Sequence, residues 1–204
     1  MRIIALASMI GWLTCPLAAQ VVGEDRCPGH VGPGAQADSV VLAVAEDSWG
    51  PGANVTRGEV AAKLRAAQRI GPFSPVAWSV VYQLMLFLDM ADSGIALASE
   101  GAALWPNCAA VYVARAHLTA ISRREAAIAE LRELESRFPH DPYALAGAAR
   151  VWCEINDFAA AAWLYERALR QDSTIITRHP ELHRSYELVR RVTGRLPPLQ
   201  TAPQ

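Results

Sequence analysis

Between residues 75 and 175 small residues and helix-ending prolines return at a nearly constant interval. Pro106 and Pro139 stand 33 residues apart, and Gly94, Ala127 and Ala161 are spaced by 33 and 34. Each interval holds two apolar stretches of helical period, separated by short breaks. A helix pair of this length cannot bury its own apolar side, so neighbouring pairs must stack, and three or more are needed for a stable core. The interval thus predicts an all-α chain, an α-solenoid of antiparallel helix pairs. The stretch DFAAAAWLYERAL at 157–169 shows the packing logic, since it sets four alanines beside Phe158, Trp163 and Tyr165. Small side chains at a crossing let two backbones approach, and large ones fill the space around it.

The helix boundaries carry their own signals. Thr56 and Glu59 form a capping-box pattern that opens a helix with Val60, Leu64 and Ala67 on one face, and Gly71 can end it in a left-handed turn. Ser74 followed by Pro75 starts the next helix, whose apolar residues run nearly all round and predict burial on most sides. Further helices are expected over 93–103 and 109–120. Ser122 and Glu125 suggest a second capping box, with Glu133 and Arg137 at ion-pair spacing behind it. Asp141 with Pro142 starts another helix, and the 157–171 stretch supplies its partner. A last helix over 180–193 is closed by Gly194, and 195–204 reads as a disordered tail. Asp89 and Asp92 flank a break and read as caps.

The residue pattern resembles the tetratricopeptide repeat (TPR) family, in which Trp-x2-Leu-Gly-x2-Tyr is followed by Ala-x3-Phe, Ala and Pro. The unit near 142–175 carries Leu145, Ala148, Ala149 and Trp152, then Ala161, Tyr165 and Ala168, with Phe158 before them. The unit near 108–141 carries Val111, Ala114 and Leu118, then Ala127, Leu131, Leu134 and Pro139, but places Arg115 where a small residue is usual. The unit near 75–107 carries Trp78, Val81, Tyr82 and Met85, then Gly94, Ala98, Gly101 and Pro106, with Tyr82 at the small-residue place. The resemblance implies a TPR-like superhelix over 57–194, with end pieces at 57–70 and 180–193. Gly94, Ala114, Ala127, Ala149, Ala161 and Ala168 are its packing positions, and Trp152, Phe158 and Tyr165 its fillers. It further implies a concave groove lined by the first helix of each pair, here Ser79, Gln83, Tyr112, Ala116, Thr119, Arg150 and Cys153. Such grooves bind peptides or partner domains. This lining lacks the basic clamp that captures acidic peptide tails. Arg150 can fork onto a carboxylate and Tyr112 can stack.

The first 19 residues read as a secretory signal peptide: Arg2, an apolar run from Ile3 to Leu13, then small residues with cleavage after Ala19. That run is too short to cross a bilayer. Lipidation at Cys15 is disfavoured by Trp12, Thr14 and Pro16 around it. Residues 20–56 form a flexible Gly/Pro-rich lead segment holding one short apolar element at 38–48, strand or helix. Cleavage leaves Cys27, Cys108 and Cys153, an odd number in which a Cys27–Cys108 bridge is one option. The destination is therefore periplasmic or secreted.

Chemistry is sparse. A formal net charge of −1 provides no field for nucleic acid or an anionic membrane. The glycine-containing loops lack phosphate-loop and dinucleotide fingerprints, and there is no Gly-x-Ser-x-Gly elbow. His179 and His183 stand four apart with Glu181 between, a pattern that could begin a metal site. However, Pro180 sets His179 outside the regular turn, as a cap. The expectation is a non-catalytic scaffold without metal or cofactor, binding a protein partner in the cell envelope. Two alternatives remain, a self-associating structural protein and a metal-dependent enzyme at the histidine pair.

Overall fold

The computed structural model describes residues 33–49 and 55–199. The expected signal peptide and its cleavage after Ala19, together with Cys15 and Cys27, lie outside the described residues. Among the described residues the protein is all-helical: α1 (Pro33–Trp49), α2 (Arg57–Ile70), α3 (Pro75–Phe87), α4 (Ala91–Leu104), α5 (Ala109–Ser122), α6 (Arg124–Arg137), α7 (Pro142–Glu154), α8 (Phe158–Gln171), the single turn α9 (Ile175–Arg178) and α10 (Pro180–Thr193). No helix among them is long and apolar enough to cross a membrane.

Local sequence explains most of the starts. The Thr56 hydroxyl accepts from Glu59 N at 3.2 Å, while Thr56 N donates back to the Glu59 carboxylate at 2.8 Å. That bond to the backbone holds the Glu59 carboxyl below the usual carboxylate range. Ser74 caps α3 through Ala77 N, Asp141 caps α7 through Tyr143 N and Ala144 N, and Asp157 caps α8 through Ala160 N. Gly194 closes α10 at φ 66, a left-handed conformation that glycine adopts without steric cost.

Several boundaries differ from expectation. The Ser122–Glu125 box does not form, because α5 runs through Ser122 and leaves Arg123 as the one-residue link to α6. Gly71 is extended rather than left-handed. Asp89 and Asp92 do not cap: Asp89 itself takes φ 54, and Asp92 pairs with Arg123. Asn156, at the end of α7, takes the matching φ 65. Both turns carry the same long backbone bond, Met90 N to Met85 O at 2.8 Å and Asp157 N to Trp152 O at 2.9 Å. The α3–α4 and α7–α8 hairpins thus share one Schellman-type turn, with Asp and Asn at positions other side chains disfavour. The 38–48 element belongs to a full helix, α1, so α2 is the second member of a pair rather than an end piece. Residues 195–199 are packed: Leu196 is buried, and Tyr186 donates to Pro197 O at 2.7 Å.

The interval read from the sequence reappears in the helix starts. α2, α4, α6 and α8 begin at 57, 91, 124 and 158, and α3, α5 and α7 at 75, 109 and 142. Packing follows the same order. α1 lies on α2 and α3, α3 on α4 and α5, α5 on α6 and α7, and α7 on α8 and α10. Contacts between successive pairs also join α2 to α4, α4 to α5, α6 to α7 and α8 to α10. One core runs through all of them.

Small residues sit where this order needs them. Ala114, Ala127, Ala149, Ala161 and Ala168 are all buried. A Cβ on Gly94 would come within 2.9 Å of Met85 Cγ and 3.0 Å of a Leu118 methyl. Gly147 is tighter, with both Val113 methyls 2.6 Å from where its Cβ would be. Around these crossings Tyr165 is fully buried, edge-on to Tyr186 with ring centroids 5.2 Å apart, and Trp152 and Phe158 are half-buried against the core.

Candidate functional site

α3 was expected to be covered on most sides, yet one side is open. Val76, Leu86 and Phe87 are 43%, 44% and 57% exposed, and Gln83 beside them is exposed as well. With half-buried Ser79 they fall within about 100° of the helix circumference, at 100° per residue, and so form one stripe. Scattered exposed leucines need no explanation, but Val76, Leu86 and Phe87 on one side of a helix, with the polar Ser79 and Gln83 between them, form a mixed face that a partner can cover.

Tyr82 borders the stripe on the side of α5. Its ring stacks on His117 of α5 with centroids 3.6 Å apart and planes 9° from parallel. His117 Nε2 lies 2.6 Å from Glu154 Oε1 of α7. Since a carboxylate oxygen only accepts, Nε2 carries the proton and donates it. Arg150, one turn before Glu154, approaches the same oxygen with Nε at 3.5 Å and sets its guanidinium 5.7 Å from the Tyr82 ring centroid. Three helices of the odd-numbered row are thereby joined by side chains running Tyr82, His117, Glu154, Arg150 and back to Tyr82.

Burial controls the electrostatics of this cluster. It pushes the His117 pKa down to about 4, helped by the Arg150 charge and opposed by the bond to Glu154. His117 is therefore neutral at pH 7. Burial raises Tyr82 to about 12, with the Glu154 charge adding to it. Burial likewise raises the neighbouring Cys153 thiol to about 11, so it stays protonated and is a poor nucleophile. The cluster has charge only at its rim, where the Glu154 and Arg150 side chains are 33% and 17% exposed. It can hydrogen-bond or pair with a partner there.

The residues expected to line a groove are placed differently from one another. Ser79 and Gln83 lie on the open stripe, and Arg150 keeps part of its guanidinium at the surface. Tyr112, Ala116 and Thr119 are buried in α5. Tyr112 meets Phe138 edge-on and lies under the guanidinium groups of Arg115 and Arg137, 5.2 and 5.0 Å from its ring centroid. Arg115 reaches across to Glu130 and Glu133 of α6, which takes Glu133 away from its expected Arg137 partner. Arg137 donates instead to Pro106 O at 2.9 Å. Cys153 is a buried free thiol, its Sγ 3.9 Å from Ser185 O. Thr119 Oγ1 is buried with no hydrogen-bond partner.

His179 and His183 do not converge. His179 Nδ1 lies 3.1 Å from Glu181 Oε1, with its ring tilted on Tyr143, whereas His183 Nε2 donates to Ile176 O at 2.7 Å. No group of three or more His, Cys, Asp or Glu side chains able to hold a metal ion occurs among the described residues.

Sequence reasoning missed His117 and Glu154. The available signal was Tyr82, a large ring at a place where the repeat pattern wants a small residue. His117 follows Tyr82 by 35 residues, and Arg150 and Glu154 follow His117 by 33 and 37, so only Arg150 keeps the repeat interval. Comparison with protein-family models, with curated proteins and with solved structures finds no match.

Proposed function

We propose that this protein is a non-catalytic binding scaffold, a solenoid of TPR-like helix pairs that holds a protein segment against its odd-numbered helices. The observation that carries the reading is the agreement of two independent patterns. Helices recur every 33 or 34 residues from α2 to α8, and the odd-numbered ones pack in sequential order. The buried small residues at Gly94, Ala114, Ala127, Ala149 and Ala161 agree with the packing positions of that family. The partner surface is the α3 stripe of Val76, Ser79, Gln83, Leu86 and Phe87, with Arg150 and Glu154 as its polar border. An amphipathic or extended segment would place apolar side chains on the stripe and a charged group at the border.

The proposed setting is the periplasm or the extracellular space. The amino-terminal pattern supports this, as does the disulfide at Cys108, since such bonds persist in oxidising compartments. Pull-down from a cell-envelope extract, comparing wild type with Phe87→Asp and Arg150→Ala, tests the surface. Loss of the same captured protein in both variants, with unchanged thermal unfolding, is the expected outcome. Equal capture by all three would refute the assignment. Solution scattering tests the solenoid, which requires a longer maximum dimension than a globule of 204 residues.

Self-association is the second reading. Leu188 and Val192, on the last full helix, are 39% and 55% exposed. A sedimentation coefficient that rises with concentration, and stops rising in Val192→Glu, would favour it.

A further inference from the structure

α10 carries an open face of its own. Leu188 and Val192 are 39% and 55% exposed, and Arg184 and Arg191 stand exposed beside them. The four follow one another at helical spacing and share one side of the helix. Neither arginine pairs with a carboxylate among the described residues, and Arg191 donates only to Glu187 O. The α3 stripe ends in the opposite charge. Asp89 is exposed two residues beyond Phe87, in the turn that closes α3, and has no ion-pair partner among the described residues.

The two faces stand in register. Pro75 and Pro180 open their helices. Leu86 and Phe87 lie 11 and 12 residues after Pro75, as Arg191 and Val192 lie 11 and 12 after Pro180. The residue six places after each proline is buried, Val81 in α3 and Tyr186 in α10, so the two helices turn the same side to the core. α3, α5, α7 and α10 pack in that order in one row. Both faces therefore open on the same side of the row.

We propose that the segment seated on the α3 stripe is α10 of a second copy of this chain, in a two-fold dimer that makes the contact twice. The inference rests on the reading of the α3 stripe as a partner surface and names the partner. A two-fold axis parallel to the helices, between α5 and α7, reverses the order of the row and keeps the helix direction. It sets α3 on α10 of the second copy with their ends matched. Leu86 and Phe87 then meet Leu188 and Val192, and Asp89 comes beside Arg191. Apolar side chains cover apolar ones, and a carboxylate faces a guanidinium. Pairing like with like serves less well. α10 on α10 crowds arginines together, and α3 on α3 sets Asp89 against Asp89 and leaves α10 bare; like charges across an interface cost affinity. Because both faces open on one side, the two contacts close on each other and leave no face for further growth.

The protein, expressed in full, is followed by sedimentation velocity over a range of concentrations at low and high salt. A monomer–dimer equilibrium that weakens in salt is the expected result. Phe87→Arg sets a cation against Arg191, and Arg191→Glu sets a carboxylate against Asp89. Each should raise the dimer dissociation constant roughly 30-fold or more. Both side chains are exposed, so thermal unfolding should be unchanged in the two variants. The double variant restores opposite charges across both contacts and should pair roughly tenfold tighter than either single one. A dimer indifferent to both single variants, a double variant no tighter than the singles, or species that grow beyond a dimer would each overturn the proposal. Protein that stays monomeric at every concentration, yet loses a captured envelope protein in Phe87→Asp, keeps the α3 surface and overturns the dimer. Sedimentation and capture both untouched by Phe87→Arg would remove the α3 surface itself.

Discussion

Neutral His117 makes the protein sensitive to acid over a definable window. Its folded pKa is about 4 against an ordinary 6.5, because it is fully buried and faces Arg150. The unfolded chain therefore takes up a proton near pH 6.5, while the folded chain declines it until about pH 4. Stability contributed by this group is fully present above pH 6.5 and is lost as pH falls toward 4. A depression of this size corresponds to roughly 3 kcal/mol, at about 1.4 kcal/mol per pH unit. His117→Phe keeps a ring to stack on Tyr82 but removes the titration, leaving Glu154 with Arg150 as partner. Urea unfolding of both proteins at pH 7.5 and pH 4.5 isolates the effect, since the acid loss from carboxylates is common to the two. Wild type should lose about 2 kcal/mol more than the variant between these pH values. Equal losses would refute the burial argument for His117, and with it the closed Tyr82–His117–Glu154 arrangement.

Packing supplies further tests. Gly147→Ala would drive a Cβ into both Val113 methyls, which a β-branched side chain cannot move aside. The overpacking cost of about 1–3 kcal/mol should outweigh the roughly 1 kcal/mol gained in helix propensity and lower Tm. Ala161→Leu, at a fully buried position, should cost on the order of 1–3 kcal/mol, and an unchanged Tm would place Ala161 away from any crossing. Asp141→Ala removes two bonds to backbone amides at the start of α7 and should cost about 1 kcal/mol in urea unfolding.

Residues whose role is local were the readable ones. Thr56, Ser74, Asp141 and Gly194 act on backbone groups within four positions of themselves, and their helices begin or end where they say. The alanine and glycine positions were readable for another reason: their interval repeats, so each unit reinforces the next. The Ser122 box failed because the same residues also suit continuing α5, and only the single-residue link to α6 decides between the two. Tyr112 and Phe87 failed in opposite senses. Whether a ring on a first helix faces solvent or a neighbour depends on how closely the next pair leans in. That is set by contacts such as Gly147 on Val113, which lie in another unit. His117 and Glu154, 37 residues apart, have no joint signature along the chain.

The sequential order of the helix contacts bears on how this molecule comes to be folded at all. Nearly every element finds its partners among the next two or three along the chain, so little loop-closure entropy separates one assembly step from the next. A polypeptide delivered gradually from its amino terminus could lay down each hairpin on the last as it emerges. It would need no distant segment to arrive first, and would expose only the growing edge to misassembly.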